Sequence, residues 1–483
     1  MPASAGFGVL HLTAELWPYA RTGGLGQAVA DLAAAQARGG MKSSVMLPLY
    51  RTARDHVTDL VPACEPFTVS LGGIPEDVHC WKLADAGAGP PTLFLDHPAS
   101  FDRAGIYGEG GADYPDNHRR FALFSLAAVE VAARLGAPRG ILHAHDWHNA
   151  LAPVYLRVLY AGHAELDRLP SVLTVHNGGF QGHFGRDALH DIGLPEHFWS
   201  VDYMEWYGRL NYLKGGLRFA DMVTTVSPTH AVEMRTEVGG FGLHDVFEGL
   251  GDRFVGIRNG IDTVRWNPVT DADITAHYSA DDLAGKVRCK AALQRAWNLP
   301  QRSRVPVFGM SARLVSQKGL DLIVGSKSLA NADAQFVFLG AGEARYESAL
   351  HQLAHEMPDR IGVNTAFTDR LEHRLLAGAD FLLMPSLYEP CGLTQMRAQR
   401  YGALPVARRV GGLADTIADG VTGFLFDDYT PAEFDKAVRR AVTVYHDQPL
   451  YTEHARAAMR RDFSWTEPVA QYASVYRRAL GGR

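Results

Sequence analysis

Several features that mark other protein classes are scarce or absent in this sequence of 483 residues. Its four cysteines are scattered with no CxxC pair, so we expect thiols in a reducing compartment and no disulfide framework. No apolar run reaches the roughly 18 positions of a membrane span, and the N-terminus has neither the basic nor the apolar part of a secretory signal. We therefore expect a cytoplasmic protein with no membrane partner.

An excess of positive charge is also absent. The chain has 47 Lys and Arg against 53 Asp and Glu, a net charge of −6 at pH 7, which argues against nucleic acid as a partner. Any phosphate must then be met by local basic groups.

Internal repeats and low-complexity tracts are missing too. The chain is too long for one ordinary core, so two or three domains are expected.

Short apolar runs alternate with longer helical patterns along the chain. The strand candidates of a first series are 9–12, 44–47, 140–143, 172–175 and 222–226, and those of a second are 254–257, 305–310, 336–339, 381–384 and 405–407. Apolar strands separated by helices predict parallel sheets covered on both faces. The fold class is therefore α/β with two doubly wound, Rossmann-like domains, and the glycine-rich stretch 239–251 is the expected boundary region.

A glycine turn follows the first apolar run. Residues 21–27 read Arg-Thr-Gly-Gly-Leu-Gly-Gln and precede a helical pattern. A strand, such a turn and a helix bring backbone N–H groups and the positive end of a helix dipole together, which predicts an anion site at Gly23 and Gly24. Arg21 adds charge beside it. The alternative is a turn that needs glycine only for its backbone angles.

Two cations follow the strand candidate 305–310. Arg313 and Lys318 lie on the side of a doubly wound sheet where ligands bind, and Arg can grip a phosphate bidentately while Lys adds a mobile charge. The alternative is a pair of solvated loop cations.

A similar loop follows the strand candidate 381–384. A helix is expected to begin near Gly392, so the N–H groups of Gly392, Leu393 and Thr394, next to Cys391, could bind phosphate or sugar oxygens. Glu389 could accept hydrogen bonds from sugar hydroxyls or face positive charge at an anomeric carbon. Its alternative role is that of an ordinary acid at a helix N-terminus.

In the first domain, residues 143–148 read His-Ala-His-Asp-Trp-His after a strand candidate. This spacing fits no compact zinc motif, so no metal is predicted. A sugar site fits better, with Asp146 accepting hydroxyls and the Trp147 ring stacking. His176 follows the strand candidate 172–175 and either binds a hydroxyl or caps the strand.

Together these motifs resemble the bacterial glycogen synthase and plant starch synthase family, glycosyltransferase family 5. The resemblance runs from about residue 9 to residue 465 and includes Asn-Gly-Ile-Asp at 259–262 and Gly-Gly-Leu-Ala-Asp-Thr at 411–416. It implies a GT-B fold with two Rossmann-like domains across a deep cleft. The implied domains are an acceptor-side domain 1–252, a nucleotide-sugar domain 253–462 and a helix 463–483 that crosses back to the first.

The resemblance implies transfer of glucose from ADP-glucose to the non-reducing end of an α-1,4-glucan, with retention at the anomeric carbon and without metal or cofactor. In this family pattern Arg313 and Lys318 hold the donor diphosphate, and Glu389 is the essential glutamate. The remaining matches are His176, Asp146 and Asn259 around the glucose, Phe367 on the adenine, and Lys290 lining the donor site.

Two positions depart from the family pattern. Arg21 stands where the family has Lys, and Gln27 stands where it has Asp, close to the sugar and the acceptor. An amide offers one acceptor oxygen and two donor hydrogens in place of an anion. Two alternatives therefore stay open: a GT-B transferase that uses ADP- or UDP-glucose with a small sugar or sugar phosphate, and a glucan- or nucleotide-binding regulator with an impaired site. The sequence does not decide the oligomeric state or the regulation.

Overall fold

The computed structural model describes residues 8–85, 87, 89–136 and 140–481. The chain forms two compact units, one of Met1–Gly260 with Trp465–Arg483 and one of Ile261–Ser464. The division thus falls after Gly260, whereas the sequence places it after residue 252. The glycine-rich stretch 239–251 lies inside the first unit and includes a helix. Positions 1–7, 86, 88, 137–139, 482 and 483 of the predicted domains lie outside the described residues.

The first unit is built on a large sheet. Its strands lie in the order β15-β14-β10-β9-β1-β2-β6-β5-β3, with β4 paired to β5. The bounds are β1 (Gly8–Leu12), β2 (Lys42–Pro48), β3 (Leu60–Pro62), β4 (Phe67–Leu71), β5 (Ile74–Leu83), β6 (Thr92–Asp96), β7 (Gly108–Glu109), β8 (Ala112–Asp113), β9 (Ile141–His145), β10 (Ser171–Val175), β11 (His183–Phe184), β12 (Glu205–Trp206), β13 (Arg209–Asn211), β14 (Met222–Thr225) and β15 (Phe254–Gly256). From β15 to β6 neighbouring strands are parallel, whereas β3, β4 and β6 pair with β5 antiparallel.

The helices of the first unit pack against this sheet and against one another. They are α1 (Gly24–Arg38), α2 (Arg51–Arg54), α3 (Pro98–Phe101), α4 (Asn117–Arg134), α5 (Leu151–Val158), α6 (Ala188–Asp191), α7 (Tyr212–Phe219), α8 (Pro228–Glu233) and α9 (His244–Gly249). Several begin at a residue suited to the task. Asn211 accepts the Lys214 N–H at the start of α7, and Ser227 accepts the His230 N–H at the start of α8, which satisfies otherwise unpaired donors.

The second unit has a parallel sheet in the order β18-β17-β16-β19-β20-β21. Its strands are β16 (Val307–Ser311), β17 (Gln335–Leu339), β18 (Ile361–Asn364), β19 (Phe381–Met384), β20 (Leu404–Arg408) and β21 (Phe424–Phe426). Its helices are α10 (Ala284–Ala296), α11 (Leu320–Val324), α12 (Ser328–Asn331), α13 (Ala344–Glu356), α14 (Asp369–Gly378), α15 (Thr394–Arg400), α16 (Gly411–Thr416), α17 (Pro431–His446) and α18 (Gln448–Met459). Its central strands are buried apolar runs, as expected of a sheet covered on both faces.

The last helix, α19 (Thr466–Gly481), belongs to the first unit. Its buried residues Tyr472, Val475 and Tyr476 share a hydrophobic cluster with Val9 and Val172 of the sheet. In the described part of the chain, no helix has the length and apolarity that crossing a membrane requires.

Each sheet has a point where the strand order reverses direction. In the first unit it lies between β1 and β9, and in the second between β16 and β19. In open parallel sheets ligands bind at such a point, beyond the carboxyl ends of the strands. The predicted functional loops follow β1, β9 and β10 in the first unit and β16 and β19 in the second.

Candidate functional site

The loops after β16 and β19 are bonded to each other in the second unit. Gln317 lies in a 3-10 turn, Ser316–Lys318, just before α11. Its carbonyl accepts the Leu387 N–H at 2.8 Å, and its side-chain amide donates to the Tyr388 carbonyl at 3.2 Å. The backbone carbonyl and the side-chain amide of Gln317 therefore hold the two loops in one arrangement beside the reversal point.

An ion pair lies at this junction. Lys318 Nζ is 2.6 Å from Glu389 Oε2, and the Ser386 hydroxyl donates to the same oxygen at 3.0 Å. The Glu389 side chain is 7% exposed and that of Lys318 is 19% exposed. A carboxylate held by a cation and a hydroxyl has a defined position, and the ammonium keeps hydrogens for a further anion.

Two glycines lock the backbone around Glu389. Gly319 has φ +76° and lies so close to Pro385 that an added Cβ would be 2.0 Å from its carbonyl oxygen. Gly411 has φ +43°, and a Cβ there would be 2.0 Å from the Glu389 carbonyl oxygen. Only glycine fits such contacts in left-handed backbone. The loop that carries Glu389 is therefore tightly packed against the backbone at Gly319 and Gly411.

The other predicted residues of this unit lie around the same strand ends. Arg313 follows β16 and is exposed. Cys391 is buried, and Gly392 has φ +68°. The Gln395 side chain donates to both of their carbonyl oxygens at 2.9 Å. Leu393 precedes α15 and Thr394 begins it, so the helix starts two residues after Gly392. Phe367 follows β18, and its side chain is exposed.

Lys290 is not brought to this group. Its ammonium lies 2.7 Å from Asp380 Oδ2 and donates to the Tyr445 hydroxyl at 2.5 Å. Asp380 precedes β19 and accepts the N–H of Val307, the first residue of β16. Lys290 therefore lies at the amino ends of these strands, the edge opposite to Lys318 and Glu389. A buried ammonium requires an anion beside it, and Asp380 supplies one there.

The glycine turn of the first unit is held by Glu15. The buried Glu15 carboxylate accepts the N–H groups of Thr22 at 2.8 Å and Gly23 at 3.1 Å, the Thr22 hydroxyl at 2.7 Å and the Tyr107 hydroxyl at 2.8 Å. Two N–H groups of the turn expected to face an anion thus already have an acceptor. A Cβ on Gly23 or Gly24 would meet nothing within 4 Å, so the turn borders open space.

The two family departures occupy different surroundings. Arg21 is exposed beside the turn. Gln27 is buried on the second turn of α1, and its amide donates to Asp31 Oδ1 at 2.7 Å. This contact lies within the helix, because residues four apart share one face.

Asp146 and His176 are joined at the ends of β9 and β10. Asp146 Oδ1 accepts the N–H groups of His176 at 2.6 Å and Asn177 at 3.3 Å. Burial raises the pKa of the Asp146 carboxyl to about 7 against the opposing effect of these N–H groups. Its backbone has φ +56° and ψ −176°, a conformation almost confined to glycine. Burial lowers the pKa of His176 to about 3, so the imidazole is neutral at pH 7.

The structure refines two sequence expectations in this unit. The strand predicted over 140–143 continues to His145, so His143 and His145 lie within β9 on one face of the sheet. Trp147 is packed between Phe121 and neighbouring aromatic rings, and a Cβ on Gly182 would be 2.4 Å from it. One part of the partly buried ring therefore packs against the aromatic core of the unit.

Asn259 follows β15 and is buried. Its N–H donates to the Val226 carbonyl at 3.3 Å, and its own carbonyl accepts from Arg258 at 3.0 Å. The residue lies at the same edge of the sheet as His176, because β15, β14 and β10 are parallel neighbours. Sequence reasoning missed Glu15, Tyr107 and Ser386 as parts of these sites. Only the short spacing of Ser386 and Glu389 was a local signal for any of them.

These arrangements suit a charged and hydroxyl-rich ligand. The second unit offers two cations and a fixed carboxylate at its reversal point, and the first offers an open glycine turn and neutral or hydrogen-bonded polar groups. Fixed positive charge stabilises a departing anion, and neutral acceptors and donors can orient hydroxyl groups.

Comparison with known proteins agrees with this chemistry. A family model described as starch synthase catalytic domain matches residues 8–249, and one described as glycosyl transferases group 1 matches residues 295–459. The glycogen synthase of Anaeromyxobacter dehalogenans (strain 2CP-1) is 41% identical, covering 98% of this chain and 100% of its own. Glycogen synthase 2 of Geobacter sulfurreducens is 39% identical, covering 98% and 99%.

Two solved structures resemble the fold. The catalytic domain of starch synthase IV from Arabidopsis thaliana, bound to ADP and acarbose, has a TM-score of 0.90 at 34% identity and covers 99% of this chain and 100% of its own. The sucrose-phosphate synthase of Thermosynechococcus elongatus has a TM-score of 0.62 at 16% identity, with the same coverage. The second likeness concerns the fold alone, which is the GT-B fold of two Rossmann-like domains.

Proposed function

Because this chain belongs to the glycogen synthase and starch synthase family of glycosyltransferases, we propose that it transfers glucose from ADP-glucose to the non-reducing end of an α-1,4-glucan with retention of configuration. The observation that carries the proposal is the Lys318–Glu389 pair at the reversal point of the second sheet. The binding of ADP and acarbose by the starch synthase IV structure supports a nucleotide and a glucan as the two ligands.

The second unit takes the donor in this proposal. The reaction breaks the bond between glucose C1 and the diphosphate and forms a bond from C1 to the oxygen of the acceptor hydroxyl on the same face of the sugar, and the proton of that hydroxyl passes to the departing diphosphate. Negative charge grows on the leaving ADP, and Arg313 and Lys318 counter it. Glu389 faces the positive charge at C1, the N–H groups of residues 392–394 bind donor oxygens, and Phe367 stacks on the adenine.

The first unit takes the transferred glucose and the acceptor. Asp146, His176 and Asn259 surround the sugar, and Arg21, Gly23 and Gly24 border the donor phosphates. Gln27 is on the acceptor side. Two protein cations supply the charge that a metal would otherwise provide, so the reaction needs neither metal nor cofactor, and ADP release should be unchanged by EDTA. The four cysteines remain thiols, which supports action in the cytoplasm.

The test is a panel of donors and acceptors. ADP and UDP release are measured with ADP-glucose or UDP-glucose as donor. The acceptors are glycogen, malto-oligosaccharide, a free small sugar and a sugar phosphate. We expect ADP release that requires ADP-glucose and a glucan. Release with a small acceptor and little with glucan would replace the proposal by the second transferase hypothesis, and nucleotide binding without release would favour the regulator.

Two variants belong to the same panel. Glu389→Ala should abolish transfer, and transfer that persists would remove Glu389 from the catalytic group. Gln27→Asp restores the family carboxylate. If it confers glucan transfer that the wild type lacks, Gln27 is the reason for the different acceptor.

A further inference from the structure

A row of buried side chains connects the last helix of the chain to His176. The Gln36 Oε1 atom on α1 lies 2.8 Å from His11 Nε2 on β1, His11 Nδ1 lies 3.0 Å from His145 Nε2 on β9, and His145 Nδ1 lies 2.9 Å from His176 Nε2. The Gln36 amide nitrogen donates to Tyr476 of α19 at 2.9 Å. His11, His145, Gln36 and Tyr476 are fully buried.

The imidazoles of this row are neutral at pH 7. Burial lowers the pKa of His11 to about 4, that of His176 to about 3 and that of His145 well below its usual range. A neutral imidazole has one nitrogen that donates and one that accepts. Each nitrogen–nitrogen contact in the row must therefore contain a single hydrogen.

The amide at the end of the row sets the direction of all three contacts. Gln36 Oε1 can only accept, so His11 Nε2 carries its hydrogen and His11 Nδ1 accepts from His145 Nε2. His145 Nδ1 then accepts from His176 Nε2, which leaves the lone pair of His176 on Nδ1. The Ser43 hydroxyl also donates to Gln36 Oε1 at 3.1 Å, which agrees with this orientation of the amide.

A second row is compatible with the same orientation of the Gln36 amide. Tyr476 accepts from the Gln36 amide and is 2.9 Å from His143 Nδ1, and His143 Nε2 is 2.6 Å from the Thr174 hydroxyl. Tyr476 can thus donate to His143, and His143 to Thr174, so each group finds a partner of the right kind. His11, His143 and His145 are spaced closely enough for a metal ion, but their ring nitrogens are all occupied in these two rows.

We propose that Gln36, His11 and His145 are positioning residues that fix the tautomer of His176, so that Nδ1 of His176 accepts a hydrogen bond from a hydroxyl of the transferred glucose. Tyr476 anchors the amide at the start of the row, which makes the C-terminal helix part of this arrangement. The inference rests on the proposed function for the role of His176, but the tautomer itself is a property of the protein without ligand.

The first measurement reads the tautomer directly. Protein labelled with 15N in its histidine rings gives a nitrogen–proton correlation spectrum that distinguishes protonation at Nε2 from protonation at Nδ1, and the His176→Gln spectrum identifies the signals of His176. We expect His176 to be protonated at Nε2. Protonation at Nδ1 in the wild type would overturn the proposal, and this result does not depend on whether the protein transfers glucose.

The second measurement tests the positioning role. Gln36→Met removes the acceptor at similar size, and Tyr476→Phe removes the anchor. We expect a mixture of His176 tautomers and a fall in kcat of about tenfold for Gln36→Met, the size of one hydrogen bond in the transition state, with the KM for ADP-glucose nearly unchanged. Tyr476→Phe should show the same changes, smaller in size, and provides the test if Gln36→Met does not fold.

Tyr472→Phe is the matched control, because Tyr472 lies on the same helix and its ring contacts His143 but it is in neither row. It should leave the His176 tautomer unchanged. If Gln36→Met and Tyr476→Phe leave the tautomer unchanged, or change it without lowering kcat, the positioning role is wrong. If the wild type shows the expected tautomer but releases no ADP with any glucan, the proposed function fails while the tautomer assignment stands.

Discussion

The two units place different chemistry at equivalent points of their sheets. In the first, the groups at the strand ends are buried imidazoles that stay neutral and the Asp146 carboxyl, whose pKa burial raises to about 7. In the second, they are a lysine and a glutamate in contact and an exposed arginine. The difference suits a division of work in which the first unit orients hydroxyl groups and the second carries the charge of the leaving nucleotide.

The glycines of the two sites also differ in the space around them. Gly23 and Gly24 border open space, whereas Gly319 and Gly411 lie against backbone carbonyl oxygens. Glycine thus leaves room for a ligand in the first unit and permits close packing behind the site in the second.

The largest expected effect is on stability, and it distinguishes Lys290 from Lys318 in the second unit. Lys290→Met leaves Asp380 buried without its cation, which should lower the free energy of unfolding by about 3–5 kcal/mol. The KM for ADP-glucose should not change, because Lys290 lies at the opposite edge of the sheet. Denaturant unfolding and steady-state kinetics check this. An altered KM with unaltered stability would return Lys290 to the donor site.

Removal of charge at the carboxyl edge should act on rate. Lys318→Gln removes a cation from the leaving group and should lower kcat by about 10²- to 10³-fold, the size found for a lost transition-state donor. Kinetics of ADP release, with a melting curve to confirm folding, measure it. A kcat within twofold of the wild type would contradict the assignment of charge to the second unit.

The first unit should lose stability at a higher pH than the second when the protein is acidified. The folded pKa of His11, about 4, lies below the unfolded value of 6.5, so the unfolded state binds more protons between these values. The stability that depends on neutral His11 is complete above pH 6.5 and is lost as the pH falls towards 4, about 3 kcal/mol in all.

The second unit should respond at lower pH. Burial favours the neutral form of Asp271, but hydrogen bonds from His373 and Tyr401 outweigh it and lower the pKa below 3.8, so this contribution is lost only below that pH. Peptide-resolved hydrogen exchange, corrected for intrinsic rates, should show protection lost first in peptides of residues 8–260. Loss of protection at a higher pH in the second unit, or at the same pH in both units, would contradict this expectation.

The smallest effect concerns the open turn. Gly24→Ala replaces the first residue of α1 and should raise stability by up to about 1 kcal/mol, because alanine favours helix, while a methyl group in the open space raises the KM for the donor. Gly411→Ala, the same change in the packed loop, should instead lower the melting temperature. If both variants lose stability alike, the turn is not open in solution.

Much of this arrangement follows from local sequence patterns. The apolar runs predicted the central strands, and the rule that ligands meet the carboxyl ends of parallel strands placed the loops of Lys318 and Glu389 at one edge. The family resemblance is confirmed by full-length relatives. Partners elsewhere in the chain decide the rest: His145 extends a strand because it pairs with Thr174 of β10, Glu15 accepts the N–H groups of the glycine turn, and Lys290 lies beside Asp380. No local pattern contains these contacts.

The most direct test of the division of work is the dissociation constant of ADP, which has the diphosphate but no sugar, measured by calorimetry for three proteins. Lys318→Gln should bind ADP at least about tenfold more weakly than the wild type, equivalent to one charged contact. Asp146→Asn, which keeps the oxygen that accepts the His176 N–H, should bind ADP as the wild type does. Equal weakening in both variants, or none in Lys318→Gln, would contradict the account.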